Sequence, residues 1–299
     1  MKKYNVYPLI SYTLFLSSFF VPVLGFFVSL FSGHFLLEFF FHKNKKLAYF
    51  YTLLFLITFI LLYLYHALFT FIIIFPSVLF YKMFSRNYNH IKPGEVVIQK
   101  NGINPVSLSF IPILVFTLIL LYGYNFDEKI LAGIKLSIEK LNEYFTIKEI
   151  YRNNQFITNE TNIRKIVNLL PSFISVYTIL ITYITIKLSA MARKYYIYFK
   201  MPDYYIPIFV VTGFLILFKN DVYMFIGINS LIIFGVLFLF QGIDILNYML
   251  KTFLNNRNFI KIIIYVIMLT QLPCLILLTL VGIFDNWFNF MKYIKVKKT

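Results

Sequence analysis

Apolar runs of membrane-crossing length, set apart by short basic clusters, dominate this sequence and leave it few folds to choose from. A helix needs about 20 apolar residues to cross a bilayer, within a range of about 17–25. Leu47–Tyr65, Ser107–Tyr124, Asn168–Ala190, Val222–Leu250 and Phe259–Phe284 each meet or approach that length. Composition agrees: 60% of the 299 residues are hydrophobic and 13% charged, against about 45–50% and about 25% in globular domains. A soluble fold of this size lacks the interior to hide so much apolar surface, so lipid must be the solvent. With 24 Tyr and a single Trp, tyrosine has to supply most of the anchoring at the membrane interface.

The charge balance, 28 Lys and Arg against 12 Asp and Glu, gives a formal +16. A basic chain invites a nucleic-acid reading, which the placement of the charges excludes. They sit between apolar runs, as Lys2-Lys3, His42-Lys43-Asn44-Lys45-Lys46, Lys82 and Arg86, Arg193-Lys194, Lys251 and Arg257, and the lysines from Lys292 to Lys298. That is the positive-inside pattern of a multi-pass protein of the cytoplasmic (inner) cell membrane. Cys274 is the only cysteine, which rules out an intramolecular disulfide and a thiolate metal cage. The run from Pro8 looks like a signal peptide but lacks a small-residue cleavage site, so a retained membrane segment is expected.

His66–Phe84 reads as a further segment, turning back from Leu47–Tyr65 as a hairpin with basic clusters at both ends. Tyr204–Phe218 is short and is expected to span with local thinning. Pro8–Phe41 is expected to break at Pro22 and Gly25 into Pro8–Val21 and Phe26–Phe41, because proline removes a backbone donor. The expected fold is therefore an all-α integral membrane bundle of eight or nine spans, forming one domain over residues 1–299. Nine spans put the C-terminus outside, against the charge rule, so the count stays open between the two.

Residues 125–167 differ in kind, holding six acids and seven bases. Ile130, Ile134, Ile138, Leu141 and Phe145 recur at helical steps, with charges on the other faces. This predicts one extramembrane amphipathic helix over about residues 127–147, on the membrane surface or against the bundle mouth at the outer face; the alternative is a helix that packs on neighbouring loops. In the loop Asn87–Pro105, turn signals flank Val96-Val97-Ile98, which reads as a short strand or a re-entrant stub. The tail 285–299 is aromatic and basic.

No phosphate loop, dinucleotide-binding glycine run or hydrolase motif is present, so no catalytic residue, metal site or cofactor is expected. Attention falls on polar residues at bilayer depth, each costly unless it is satisfied or serves a function. Of the acids, Glu38 and Asp244 lie within the expected segments. His34 and Glu38 share a helix face four residues apart; they can relay protons or bind a cation, or can be a helix-end pair reaching the interface. Asn229, Gln241 and Asp244 form a polar stripe on the long segment from Val222, running toward its cytoplasmic end. Gln271 and Pro273 on the next segment face a pocket expected between the two; the alternative is interhelical hydrogen bonding that holds the bundle together. Lys187, one turn from its helix end, is expected to snorkel to the surface.

The C-terminal third carries a recognisable pattern. Gln241-Gly242 sits on a late helix, and a proline-bearing helix follows, ending in Gly282, Asp285, Trp287, Phe288, Asn289 and Phe290. The chain resembles the YybS-like family of bacterial membrane proteins, a domain of unknown function. Its N-terminal layout, a short helix broken at Val21-Pro22, is also similar to the S components of energy-coupling-factor vitamin transporters. That resemblance implies small-molecule capture within a helical bundle and docking to a membrane partner through small residues of the first helix. Here the first helix reads PLISYTLFLSSFFV, with no alanine pair four apart. Two functions follow as expectations: a transport-related protein that binds a small molecule, or a non-catalytic scaffold that uses the 125–167 insert and the tail.

Overall fold

The computed structural model describes residues 6–20, 22–42, 70–74, 96–98, 167–192, 196–218, 220–254 and 258–290, with a few single positions between them. The expected spans Leu47–Tyr65 and Ser107–Tyr124, most of His66–Phe84 and the amphipathic helix at 127–147 lie outside the described residues. Within the described residues, three stretches are long and apolar enough to cross a membrane: Leu24–Phe41, Leu170–Ala192 and Asp221–Leu254. A bent pair, Phe259–Thr270 with Leu272–Phe288, makes four if it is counted as one span.

The N-terminal run divides into α1 (Tyr7–Phe20), α2 (Pro22–Ser29) and α3 (Ser32–His42). The first break falls at the expected proline: Pro22 opens α2, where a missing N–H costs nothing. A second, tighter turn separates α2 from α3, with Leu30 N–H on Phe27 O at 3.3 Å and Phe31 N–H on Val28 O at 3.2 Å. A π-turn follows at Thr70–Ile74, then strand β1 (Val96–Ile98). The 23-residue α4 (Leu170–Ala192) carries Pro171 in its first turn.

After α4 the chain extends into β2 (Tyr196–Tyr198), which pairs in parallel with β1 in the register Val96↔Tyr196, Val97↔Ile197, Ile98↔Tyr198. Val96–Ile98 is therefore a strand. The next helix, α5 (Tyr205–Leu215), has 11 residues and rises only about 16 Å. It packs on the 34-residue α6 (Asp221–Leu254), with Phe209 edge-on to Phe238 at 5.6 Å.

The expected single span Phe259–Phe284 is two helices, α7 (Asn258–Thr270) and α8 (Leu272–Phe288), at 97° to one another. The cause is local. Pro273 has no N–H for the carbonyl of the preceding turn, and its ring crowds that turn. Gln271 accordingly takes an extended conformation (φ −96°, ψ 120°) and caps the new helix. Moreover, α8 continues to Phe288, so Asp285, Trp287 and Phe288 form its last turn rather than the start of a tail. Asn289 closes it in the left-handed region at φ 50°, which asparagine tolerates better than most residues.

The core joins α3, α4 and α6 through Leu37, Phe39, Ile179, Ile181, Leu237 and Phe238, each at most 1% exposed. The outer faces of α7 and α8 are apolar and exposed, as with Phe259, Ile262 and Leu272. That suits hydrocarbon and explains the composition. Between α6 and α8 the helices touch backbone to backbone. A Cβ on Gly242 would lie 1.9 Å from Leu278 O, and one on Gly282 would lie 2.0 Å from Phe238 O. Lipid offers no hydrophobic drive between helices, so this close approach supplies the packing that holds them.

Candidate functional site

Where α4, β2, α6 and α8 meet, a polar knot is buried in the bundle. Asp244 on α6 is wholly buried, and Lys187 Nζ donates to its Oδ2 at 2.7 Å. Tyr183, one turn before Lys187 on α4, donates its hydroxyl to Asp244 Oδ1 at 2.5 Å. Phe199 N–H donates to Oδ2 at 2.7 Å, and Lys187 Nζ also reaches Ile197 O at 2.6 Å. The Tyr183 ring stacks on Phe240 at 4.3 Å, and Lys187 Nζ lies 5.2 Å from the Tyr183 ring centroid. Every group around the charge pair is thus positioned by another.

Gln241, one turn before Asp244, extends the knot toward α8. Its Oε1 accepts Met201 N–H at 2.9 Å, and its Nε2 donates to Asp285 Oδ2 at 3.0 Å and to Asn286 Oδ1 at 3.2 Å. Asp285 is also wholly buried; it accepts the Tyr198 hydroxyl and, at 2.8 Å, the Phe290 N–H.

The extended stretch 197–201 therefore lies along α6, its backbone read by side chains. Ile197 C=O meets Lys187, Phe199 N–H meets Asp244, and Met201 N–H meets Gln241. Irregular backbone inside a membrane bundle is tolerated only where protein groups satisfy it in this way.

The expected site residues separate into three places. Gln241 and Asp244 are together in the knot. Asn229 is not: its amide accepts Ser172 N–H at 3.0 Å and donates to Asn168 O and Phe225 O, both at 2.9 Å. It ties the start of α4 to α6, about 18 Å along the helix from Gln241. His34 Nδ1 lies 3.2 Å from Ser189 Oγ of α4, and Glu38 is half-buried on the same face of α3. Gln271 is exposed at the α7–α8 break and makes none of the knot's contacts, so Gln241 and Gln271 are not brought together, and Gln241 meets Asp285 and Asn286 of α8 instead. The bend that Pro273 imposes turned Gln271 away.

Lys187 corrects a second expectation, since it points inward to Asp244 rather than snorkelling. Of the residues of the family pattern, Gly282 and Asp285 are buried, whereas Trp287 and Phe288 are exposed. Tyr183, Tyr198 and Asn286 were not foreseen. The one signal available for the first was its i, i+4 spacing from Lys187. Among the described residues, no group of three or more His, Cys, Asp or Glu is placed to hold a metal ion.

The model of a family described as "Predicted membrane protein (DUF2232)" matches residues 9–286, and the chain belongs to that family, the YybS-like proteins. No curated protein and no solved structure matches it.

Proposed function

We propose that this member of the family is a transport-related protein that captures a small polar solute at the knot without catalysing a reaction on it. One observation carries the reading. Asp285 is wholly buried, yet among the described residues its partners are neutral donors: Tyr198 Oη–H, Gln241 Nε2–H and Phe290 N–H. Lys187 pairs with Asp244, so by formal count two carboxylates face one ammonium among the described residues of the knot. A solute carrying a cationic or hydrogen-bond-donating group complements that imbalance. Asn286 Nδ2, buried and without a partner among the described residues, offers a donor of its own.

Ionisable groups inside a membrane are costly and mark sites or pathways. The stretch 197–201 covers the knot, so access follows its displacement from Gln241 and Asp244. The S-component-like N-terminal layout agrees with this reading, which takes the chain as a single multi-pass domain of eight or nine spans in the cytoplasmic membrane. The charged insert at 125–167 then lies outside, and a membrane protein partner completes the transport unit.

The test is mass spectrometry of small molecules that co-purify with the full chain. A solute retained by the wild type and lost from Asp285→Asn and Gln241→Ala supports the proposal. It fails if the wild type carries none and neither substitution alters growth under vitamin limitation.

A further inference from the structure

The contacts between the long helices fix the level at which α7 meets α8. Asn229 meets Ser172 and Asp244 meets Lys187, each pair 57 positions apart, so α4 and α6 run parallel. Both lead into basic sequence, Arg193-Lys194 after α4, and Lys251 with Arg257 at the end of α6. α8 runs back against α6, because Gly242 lies on Leu278 while Gly282 lies on Phe238. Leu272, the first residue of α8, precedes Leu278 by about 9 Å along the axis, which brings it level with Tyr248 of α6. The break between α7 and α8 is therefore at the basic end of the bundle, within a turn of Lys251.

From that level α8 rises along α6, whereas α7 stands at 97° to α8. Its 13 residues extend about 20 Å, short of the about 30 Å of hydrocarbon in a bilayer. Its two faces differ. Phe259, Ile262, Ile263, Val266, Ile267 and Leu269 are 42–74% exposed and fall on one half of the helix surface. Lys261, Ile264, Tyr265 and Met268 are half-buried and form the other half. Thr270 lies on the exposed half, but its hydroxyl is spent on Val266 O at 2.7 Å.

We propose that α7 is an in-plane helix, lying flat in the leaflet at the basic end of the bundle with its exposed face among the acyl chains. By the positive-inside rule that leaflet is the cytoplasmic one. The geometry selects the occupant. A helix at right angles to a membrane-crossing neighbour runs along the membrane, and its exposed half is aliphatic and aromatic throughout. A helix with one apolar and one polar side settles about 5–10 Å into the boundary between headgroups and acyl chains. Lys261 and Tyr265 then turn toward the headgroups, and Lys251 and Arg257 stand beside it to meet lipid phosphates. The protein holds this leaflet by a horizontal foot, and α8 alone makes the crossing. The foot does not depend on the polar knot binding a solute.

The experiment uses the full chain in vesicles of phosphatidylethanolamine and phosphatidylglycerol, with Cys274→Ser as the background and one spin label at a time. Labels go on Ile262→Cys, Val266→Cys and Leu269→Cys of α7, and on Leu272→Cys, Ile276→Cys and Leu280→Cys of α8, all at exposed positions. Collision rates with oxygen and with a water-soluble nickel chelate report the depth of each label. The expected result is one shallow depth shared by the three α7 labels, followed by a steady descent of about 6 Å per label along α8. A descent that runs unbroken from Ile262 to Leu280 makes the pair a single span and overturns the proposal. It is equally overturned if nickel reaches the α7 labels freely, which places the helix in water. Labels on α7 that neither reagent reaches also overturn it, because a second copy or another protein then covers the face.

Discussion

Lys187 Nζ and Asp244 Oδ2 stand 2.7 Å apart, with the lysine side chain 22% exposed and the aspartate not at all. Such a pair adds little stability over an apolar core, but removing one member strands the other charge and costs about 3–5 kcal/mol. Lys187→Met is therefore expected to lower Tm sharply. Adding Asp244→Asn to it should recover much of the loss, because the stranded carboxylate is gone while an amide still accepts from Tyr183 and Phe199. A double-mutant cycle on thermal unfolding measures this; additive losses would mean that the pair does not act as a unit.

Gly242 and Gly282 let α6 and α8 meet backbone on backbone. A methyl group at either position meets a carbonyl of the partner helix, which cannot rotate away. Gly242→Ala and Gly282→Ala are each expected to destabilise by about 1–3 kcal/mol. Gly235, on the same helix, has open space where its Cβ would be, so Gly235→Ala should be neutral or stabilise by up to about 1 kcal/mol. Comparing the three Tm values separates helix packing from helix propensity.

What could be read in advance follows the range over which each cause acts. The spans of α4 and α6 were legible because an uninterrupted apolar run of that length has one outcome in a bilayer. The break at Pro22 was legible because proline acts on its own turn. Pro273 acts in the same local way, yet continuous hydropathy on both sides of it hid the 97° bend, and with that bend went the placement of Gln271. Lys187 could not be assigned from its own neighbourhood. A lysine one turn from a helix end looks the same whether it reaches for water or turns inward. The deciding partner, Asp244, lies 57 positions away in the chain. Tyr198 was hidden among 24 tyrosines, any of which could have been an interfacial anchor.

Tyr198 donates to Asp285 from β2, and Tyr198→Phe removes that bond while keeping the ring. The carboxylate retains Gln241 Nε2–H and Phe290 N–H, so the expected loss is about 1.5–3 kcal/mol, the range for a hydrogen bond to a charged group. Thermal unfolding of the wild type and Tyr198→Phe under identical conditions measures it, and equal Tm values would count against the assignment.

Cys274, the single cysteine, reports whether the α7–α8 break sits in lipid. It lies half-buried in the first turn of α8, its N–H on Gln271 O at 3.0 Å. Around it Leu272, Ile276 and Leu277 are 69%, 55% and 53% exposed, a surface that only hydrocarbon solvates well. A thiol reacts as its thiolate, which forms where water reaches it. In sealed vesicles a charged, membrane-impermeant thiol reagent should leave Cys274 unmodified from either side, whereas solubilisation should speed its labelling by a small neutral maleimide. A leucine-to-cysteine change at Leu272, which is more exposed, should behave in the same way. Rapid labelling of either position by the charged reagent in intact vesicles would place the break in water. The apolar faces of α7 and α8 would then need a protein partner rather than lipid to cover them.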